Sequence, residues 1–464
     1  MILKNAKIYV DGLIRNGILY IKNGIIQSIK LNPDENEYNY FAEKNEDKKE
    51  IDCLNKLILP GIIDIHSHLR DLGQSEKETF ISGTRAAAFS GITTVFNMPN
   101  TNPPSITAEQ IKKWKKKAEN EIHVNVGFIA GVPKGIDEDE IKRIIDLGVI
   151  GFKIYPLNSL NEIDWKDPDN IQKILKISSK YRIPIFIHAD WPISDIEKEK
   201  LFEEFKSKGN SVLKLHDKLH PINMEEKYVK FIINNYEKII INNNLILKRY
   251  PVIHFCHISC KDSYLLIEKT LSSNSEYKIS FEITPHHLLL SNNLKLKNDN
   301  FGKVLPPLRD EEHPLFLFHE LEDGKIQLIG TDHAPHTLEE KSQKYINAPS
   351  GFPGFETYAL LLLNKVFQYQ LSLEFFVKSS SENPAKIFNL KNKGSIKEGF
   401  DADLIIVDKI PEYTIKSEKF NSKAKYSPFE NFKTSVQIWK VFLGGIEINV
   451  NNIKPIGKVI SRTL

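Results

Sequence analysis

Only three of the 464 residues are cysteines, Cys53, Cys256 and Cys260. That is too few for a disulfide framework and fits a reducing compartment. An excess of one charge sign is missing too: 63 lysines and arginines face 60 aspartates and glutamates, a net charge of +3. Such a balance points to neither nucleic acid nor an acidic surface as a partner. No apolar run reaches membrane-spanning length, and Met1 to Ile8 carry no apolar core or cleavage pattern of an export signal. A cytoplasmic chain with no membrane and no nucleic-acid partner is therefore expected. Lys112-Lys113-Trp114-Lys115-Lys116-Lys117 has the composition of a nucleic-acid patch, but a solvated helix face is the plainer reading.

What the chain does have is a series of eight apolar, β-branched runs. They are Leu57 to Ile65, Ile92 to Asn97, His123 to Ile129, Val149 to Tyr155, Ile183 to Ile187, Val252 to Cys256, Lys278 to Ile283 and Ile326 to Ile329. Each is continuous rather than alternating, as parallel strands buried on both faces should be. Helix-like segments lie between them, over 108–120, 137–147 and 169–181. This predicts an α/β fold, a (β/α)8 TIM barrel over residues 58–392. The charged stretch between Asp190 and Arg249 reads as an insertion forming a lid or rim. Residues 1–57 and 393–464 carry short strand-like pieces with Asp-Gly and Asn-Gly turn signals. Together they are expected to form a small β-sandwich domain assembled from both termini. The polar region Asp34 to Glu50 reads as a loose surface loop.

The first barrel run leads into His66-Ser67-His68-Leu69-Arg70. Strand alternation points His66, His68 and Arg70 the same way, at or just past the strand end. Two imidazoles there can grip one metal ion, and a guanidinium beside them can clamp a carboxylate. Alone, the motif would pass for a pair of surface histidines. Reactive groups of such barrels sit at the C-terminal strand ends. Those ends also bring Asn100, Lys153, His188, His257 and Asp332. His66, His68, His188, His257 and Asp332 are five donors from four strands, too many for one tetrahedral zinc and too few for two ions without a bridge. Lys153 stands in an otherwise apolar strand. It either pairs with an acid at the barrel mouth or captures carbon dioxide as a metal-bridging carbamate; the residues alone leave these readings even. Cys256 and Cys260 flank His257, yet buried thiols acting as small apolar groups explain them better than a zinc site.

These motifs resemble the amidohydrolase superfamily and, within it, the dihydroorotases, cyclic amidases of pyrimidine biosynthesis. The resemblance rests on Leu59 to Asp71, Asn97-Met98-Pro99-Asn100-Thr101, Gly151-Phe152-Lys153-Ile154-Tyr155, His188-Ala189-Asp190, His257-Ile258-Ser259, Pro285-His286-His287-Leu288 and Gly330 to His336. Ser350 to Thr357 and Asn383-Pro384-Ala385 extend it over nearly the whole chain. It implies a barrel with a two-ended β-sandwich and favours a carboxylated Lys153. By resemblance, His66, His68, carboxylated Lys153 and Asp332 would hold one Zn2+, and Lys153, His188 and His257 a second. A metal-bridged hydroxide would attack the ring amide of L-dihydroorotate, with Asp332 as catalytic proton shuttle, giving N-carbamoyl-L-aspartate. Ring closure is the biosynthetic direction. Arg70 and Asn100 would bind the substrate carboxylate, and His336 that carboxylate or a ring carbonyl. The alternative is an allantoinase or hydantoinase, cyclic amidases that generally lack the arginine at the Arg70 position. A catalytically silent scaffold, for instance beside aspartate carbamoyltransferase, is more remote because every ligand is present. The resemblance also implies a homodimer. Leu305 departs from the family, which usually has a polar or basic substrate-binding residue before Pro306-Pro307-Leu308-Arg309. Either that contact is lost or another group such as Arg309 replaces it. His286 and His287 read as supporting or structural residues.

Overall fold

The computed structural model describes residues 1–44, 49–208, 211–449 and 454–462. Seven parallel strands pair in sequence order: Ile62–Ser67, Ile92–Asn97, Asn125–Gly131, Gly151–Ile154, Pro184–His188, Val252–Cys256 and Ile279–Phe281. Apart from Val252, every residue in them is buried. Both faces are covered, which is why their sequences read as continuous apolar runs. The eighth run, Ile326 to Ile329, forms no strand of its own. Single parallel bridges, Ile283 to Ile329 and Ser67 to His333, close the ring. The fold is the expected (β/α)8 barrel, with its eighth strand reduced to these bridges.

A second sheet runs in the order Ile446–Glu447, Lys433–Leu443, Leu404–Thr414, Leu57–Pro60, Ile2–Val10, Leu13–Lys22 and Ile25–Leu31, with Glu50–Asp52 beside Ile2–Val10. Both ends of the chain thus build the β-domain. Its core includes Leu3, Ile8, Leu19, Ile58, Leu404, Ile406 and Phe442. The run Leu57 to Ile65, read from sequence as one barrel strand, is in fact two strands. Leu57–Pro60 pairs antiparallel with Leu404 to Val407 in the terminal sheet, and the barrel begins at Ile62. Gly61 lies between them, and a Cβ at that position would sit 2.2 Å from Thr93 Oγ1.

The segment expected to be a loose loop contains the helix Glu35–Lys44. Asp34 Oδ1 accepts from the Glu37 amide at 2.8 Å, and Glu37 Oε2 accepts from the Asp34 amide at 3.3 Å. This reciprocal cap starts a helix even in a polar sequence. Residues 45–48 of that segment lie outside the described residues. The lysine run belongs to the helix Ala108–Ala118, where Trp114 is buried and Lys112, Lys113 and Lys116 are exposed, as a solvated face requires. The insertion folds into the helices Asp195–Lys208, Val212–Leu219 and Ile222–Asn242. Among the described residues no helix is long and apolar enough to cross a membrane.

Candidate active site

The C-terminal strand ends converge on one cavity of about 320 Å³, lined by His66, His68, Arg70, Asn100, Tyr155, His188, His257, Leu305 and Asp332, among others. Alternation places Lys153: its neighbours Phe152 and Ile154 join the core against the helices, so Lys153 faces the barrel interior. The first strand ends at Ser67, and Arg70 and Asp71 follow on left-handed backbone with φ of 57° and 50°. Alternation therefore does not aim Arg70; the turn does. Asp71 braces that turn by accepting from the amides of Leu72 and Phe80 at 2.7 and 2.9 Å.

Two groups of donors form. His68 Nε2 lies 3.0 Å and His66 Nε2 3.4 Å from Asp332 Oδ1. Ligand atoms of these three buried residues all lie within 4.8 Å of one another, compact enough for one metal ion. On the other side His188 Nδ1 and His257 Nε2 face each other at 3.0 Å. Lys153 is 2 % exposed, and its Nζ has no hydrogen-bond partner among the described residues. Imidazole with carboxylate is a zinc-type donor set. Paired ring nitrogens and a buried, unpartnered amine are both arrangements that bound cations and a carbamate would satisfy. The site therefore fits the metal centre its family likeness implies.

Supporting contacts fix the tautomers. Asn100 Oδ1 lies 2.6 Å from His68 Nδ1. A carboxamide oxygen only accepts, so the proton sits on Nδ1 and Nε2 is left free towards Asp332. Glu282, 0 % exposed, does the same for His66 through a short contact to Nδ1, and also faces His254 Nε2 at 3.3 Å. Sequence reasoning passed over Glu282, although a lone acid in the apolar run Lys278 to Ile283 was a usable signal. It also missed Asp64, which accepts from the Thr331 amide at 2.8 Å and so ties the first strand to the segment bearing Asp332.

Electrostatics follow from burial and these partners. Burial opposes a charge on His66, but the Glu282 carboxylate outweighs it and pushes the imidazole up to about 10. Burial drives His68 down to about 4 against the pull of Asp332. His188 falls to about 3 through burial and then Lys153. His257 falls well below its ordinary value through burial and then His188. Burial would raise Asp332, yet the imidazoles of His66 and His68 hold its carboxyl well below the usual range. His68, His188 and His257 are thereby neutral and Asp332 ionised, the protonation states metal ligands need, whereas His66 would give up a proton to a metal.

Arg70 is 6 % exposed. Its Nε donates to the Pro335 carbonyl at 3.1 Å, and Nη2 lies 3.0 Å from His336 Nε2. No carboxylate forms an ion pair with it among the described residues. His336 does not line the cavity; it stands behind Arg70, with Nε2 also 3.0 Å from the Ser350 carbonyl oxygen. Tyr426, from the C-terminal half, packs into the same corner and accepts from the His336 amide at 3.2 Å. Nothing local in the sequence marked it.

Leu305 lines the cavity as an apolar wall. Arg309 does not replace it: Arg309 is 2 % exposed, lies outside the cavity lining and pairs with Asp217 at 2.7 Å and Glu225 at 3.1 Å. His287 Nε2 donates to the Pro306 carbonyl at 3.1 Å, a structural role. The three cysteines are free and buried.

The amidohydrolase family model matches residues 57–447. The chain is 33% identical over 441 residues to the dihydroorotase of Methanosphaera stadtmanae, covering 93% of this chain and 92% of that one. It is 34% identical over 453 residues to the dihydroorotase of Pyrococcus horikoshii, covering 97% and 94%. In fold it is similar to an L-hydantoinase from Arthrobacter aurescens, with a TM-score of 0.87 at 24% identity over 99% of both chains. A dihydropyrimidinase from Brevibacillus agri gives 0.84 at 22% identity, covering 100% and 98%.

Proposed function

The chain belongs to the amidohydrolase family, and from that premise we propose that it is a dihydroorotase, interconverting L-dihydroorotate and N-carbamoyl-L-aspartate for pyrimidine biosynthesis. One observation carries the choice of substrate: a buried arginine with no acid partner among the described residues, in the wall of a cavity lined by metal-type donors. Leaving a guanidinium buried and unpaired is costly, and a ligand carboxylate removes that cost. Hydantoin and allantoin rings bring no such carboxylate.

In this reading His66, His68, a carboxylated Lys153 and Asp332 hold one zinc, and Lys153, His188 and His257 hold the other. Two zinc ions there would supply Lewis acidity towards the ring amide carbonyl and lower the pKa of a water. Arg70 clamps the substrate carboxylate, helped by Asn100, whose Oδ1 is spent on His68 and whose Nδ2 remains to donate. His336 acts through Arg70, holding the guanidinium against the cavity wall. Asp332 takes the proton of the attacking water at its carboxylate and delivers it to the ring nitrogen as the amide C–N bond breaks. In ring closure it runs in reverse, and water leaves. Three free buried thiols suit a reducing cytoplasm, and a homodimer is the assembly carried over from the family resemblance.

The test is turnover of L-dihydroorotate, N-carbamoyl-L-aspartate, allantoin and hydantoin by zinc-supplied protein. Interconversion confined to the first pair is expected. Turnover of the uncharged rings instead would overturn the substrate, and silence with zinc bound would favour a scaffold.

A further inference from the structure

We infer that Glu225, held in place by Arg309, is a positioning residue for His257, so that the helical insertion braces the His188 and His257 end of the site. The inference rests on the metal-site reading above and on the backbone at His257. That residue leaves its strand at φ 37°, a left-handed conformation that side chains with a Cβ adopt reluctantly. Such a turn persists where its surroundings over-determine it.

Three successive amides at this turn are each bound. The His257 amide donates to Glu282 Oε1 at 3.2 Å and the Ile258 amide to the Glu282 carbonyl at 3.0 Å. The Ser259 amide donates to Glu225 Oε1 at 3.2 Å, and the Ser259 hydroxyl donates to Glu225 Oε2. Glu282 belongs to the barrel, whereas Glu225 belongs to the insertion helix Ile222–Asn242. The Glu225 carboxylate is 2 % exposed and is met by Arg309, whose Nη2 lies 3.1 Å from Oε2. Arg309 Nε donates to Ser259 Oγ at 2.9 Å, and Nη1 donates to Asp217 Oδ1 at 2.7 Å. The insertion also reaches the loop after His188, through His220 Nδ1 at 2.9 Å from Asp190 Oδ2. It therefore binds the residue two past each of the two facing imidazoles.

A buried ion pair is a weak stabilising device in itself, since apolar side chains of similar size can replace one at little cost. Here the pair is aimed at the backbone of a ligand-bearing loop. Without the Glu225 carboxylate, the Ser259 amide and hydroxyl lose their acceptor. The His257 turn can then relax and carry its ring away from His188.

Glu225→Gln keeps the volume but puts an NH2 in place of one carboxylate oxygen, so that a donor meets either Arg309 Nη2 or the Ser259 amide. Zinc affinity by chelator competition, kcat, KM for L-dihydroorotate and Tm are measured together. Binding of one of the two zinc ions should weaken by about tenfold or more, the loss typical when a residue orienting a metal ligand is removed. The kcat should fall in step, while KM stays within about twofold because Arg70 and Asn100 are untouched. Ser259→Ala keeps the amide bond to Glu225 and should show the same changes, smaller by several-fold. It carries the test if Glu225→Gln does not fold. Zinc affinity and kcat at wild-type values in the folded variants, even with a lower Tm, would overturn the inference. Zinc affinity does not depend on the substrate. A wild-type protein that binds two zinc ions but ignores dihydroorotate would defeat the substrate reading and leave this one standing.

Discussion

Replacing Arg70 by Met tests the proposed selectivity most directly. The side chain is 6 % exposed and anchored through Nε to Pro335 and Nη2 to His336, so its remaining donors are held at the cavity wall. A carboxylate seated there without the guanidinium would be a buried, unpaired charge, a loss of about 2–5 kcal/mol. Taking about 3 kcal/mol, kcat/KM for L-dihydroorotate should fall by about 150-fold. The same ring without its carboxylate, 5,6-dihydrouracil, gains nothing from Arg70, so its inhibition constant as a competitor should change little. The discriminating quantity is thus the ratio of kcat/KM for L-dihydroorotate to the association constant of 5,6-dihydrouracil, measured in wild type and variant at equal zinc content. The Pro335 carbonyl loses a donor as well, a stability cost of about 1 kcal/mol that leaves the ratio unaffected. A ratio unchanged by the substitution would refute the clamp and return Arg70 to a structural role.

Asp332→Asn should lower kcat in both directions by about 10²–10⁴-fold with the fold retained by circular dichroism; near-normal turnover would remove its proton role. Supplying ¹³C-bicarbonate should give a carbamate resonance in wild type that Lys153→Met abolishes, and its absence from zinc-loaded wild type would count against carboxylation. Glu282→Gln should weaken zinc binding by about 10–100-fold through loss of His66 alignment, read by chelator competition. Burial raises the Glu356 carboxyl to about 7, against amide bonds from Asn421 and Ser422. Below about pH 4.5 folded and unfolded chains both keep that proton. As pH rises towards 7 the unfolded chain releases it first, so folding loses up to about 3 kcal/mol. Glu356→Gln should therefore flatten the fall of Tm between those pH values, and an unchanged slope would show that another group sets it.

Much of the fold was legible because burial on both faces leaves a plain mark: seven of the eight apolar runs overlap the barrel strands. The first and eighth departed from expectation for reasons outside local pattern. Leu57 to Pro60 is as apolar as Ile62 to Ile65, yet its partners come from residues 404–407, and only that pairing assigns it to the other sheet. Ile326 to Ile329 has strand composition but meets the sheet at single bridges. The Glu35–Lys44 helix was hidden because its start depends on a reciprocal side-chain cap rather than on apolar periodicity.

The sequence by itself determined which titratable side chains gather: His66, His68, Lys153, His188, His257 and Asp332 stand at or near strand ends, and a parallel barrel opens all such ends on one side. It also determined that Arg70 would accompany them. The tertiary structure decided what each of these groups faces. It set Asn100 against His68, Glu282 against His66, His336 behind Arg70 rather than in the cavity, and Arg309 against Glu225 instead of substrate. Strand order and burial are written in short-range pattern. Hydrogen-bond partners 30 to several hundred residues apart are chosen only when the closed barrel brings them within about 3 Å of each other.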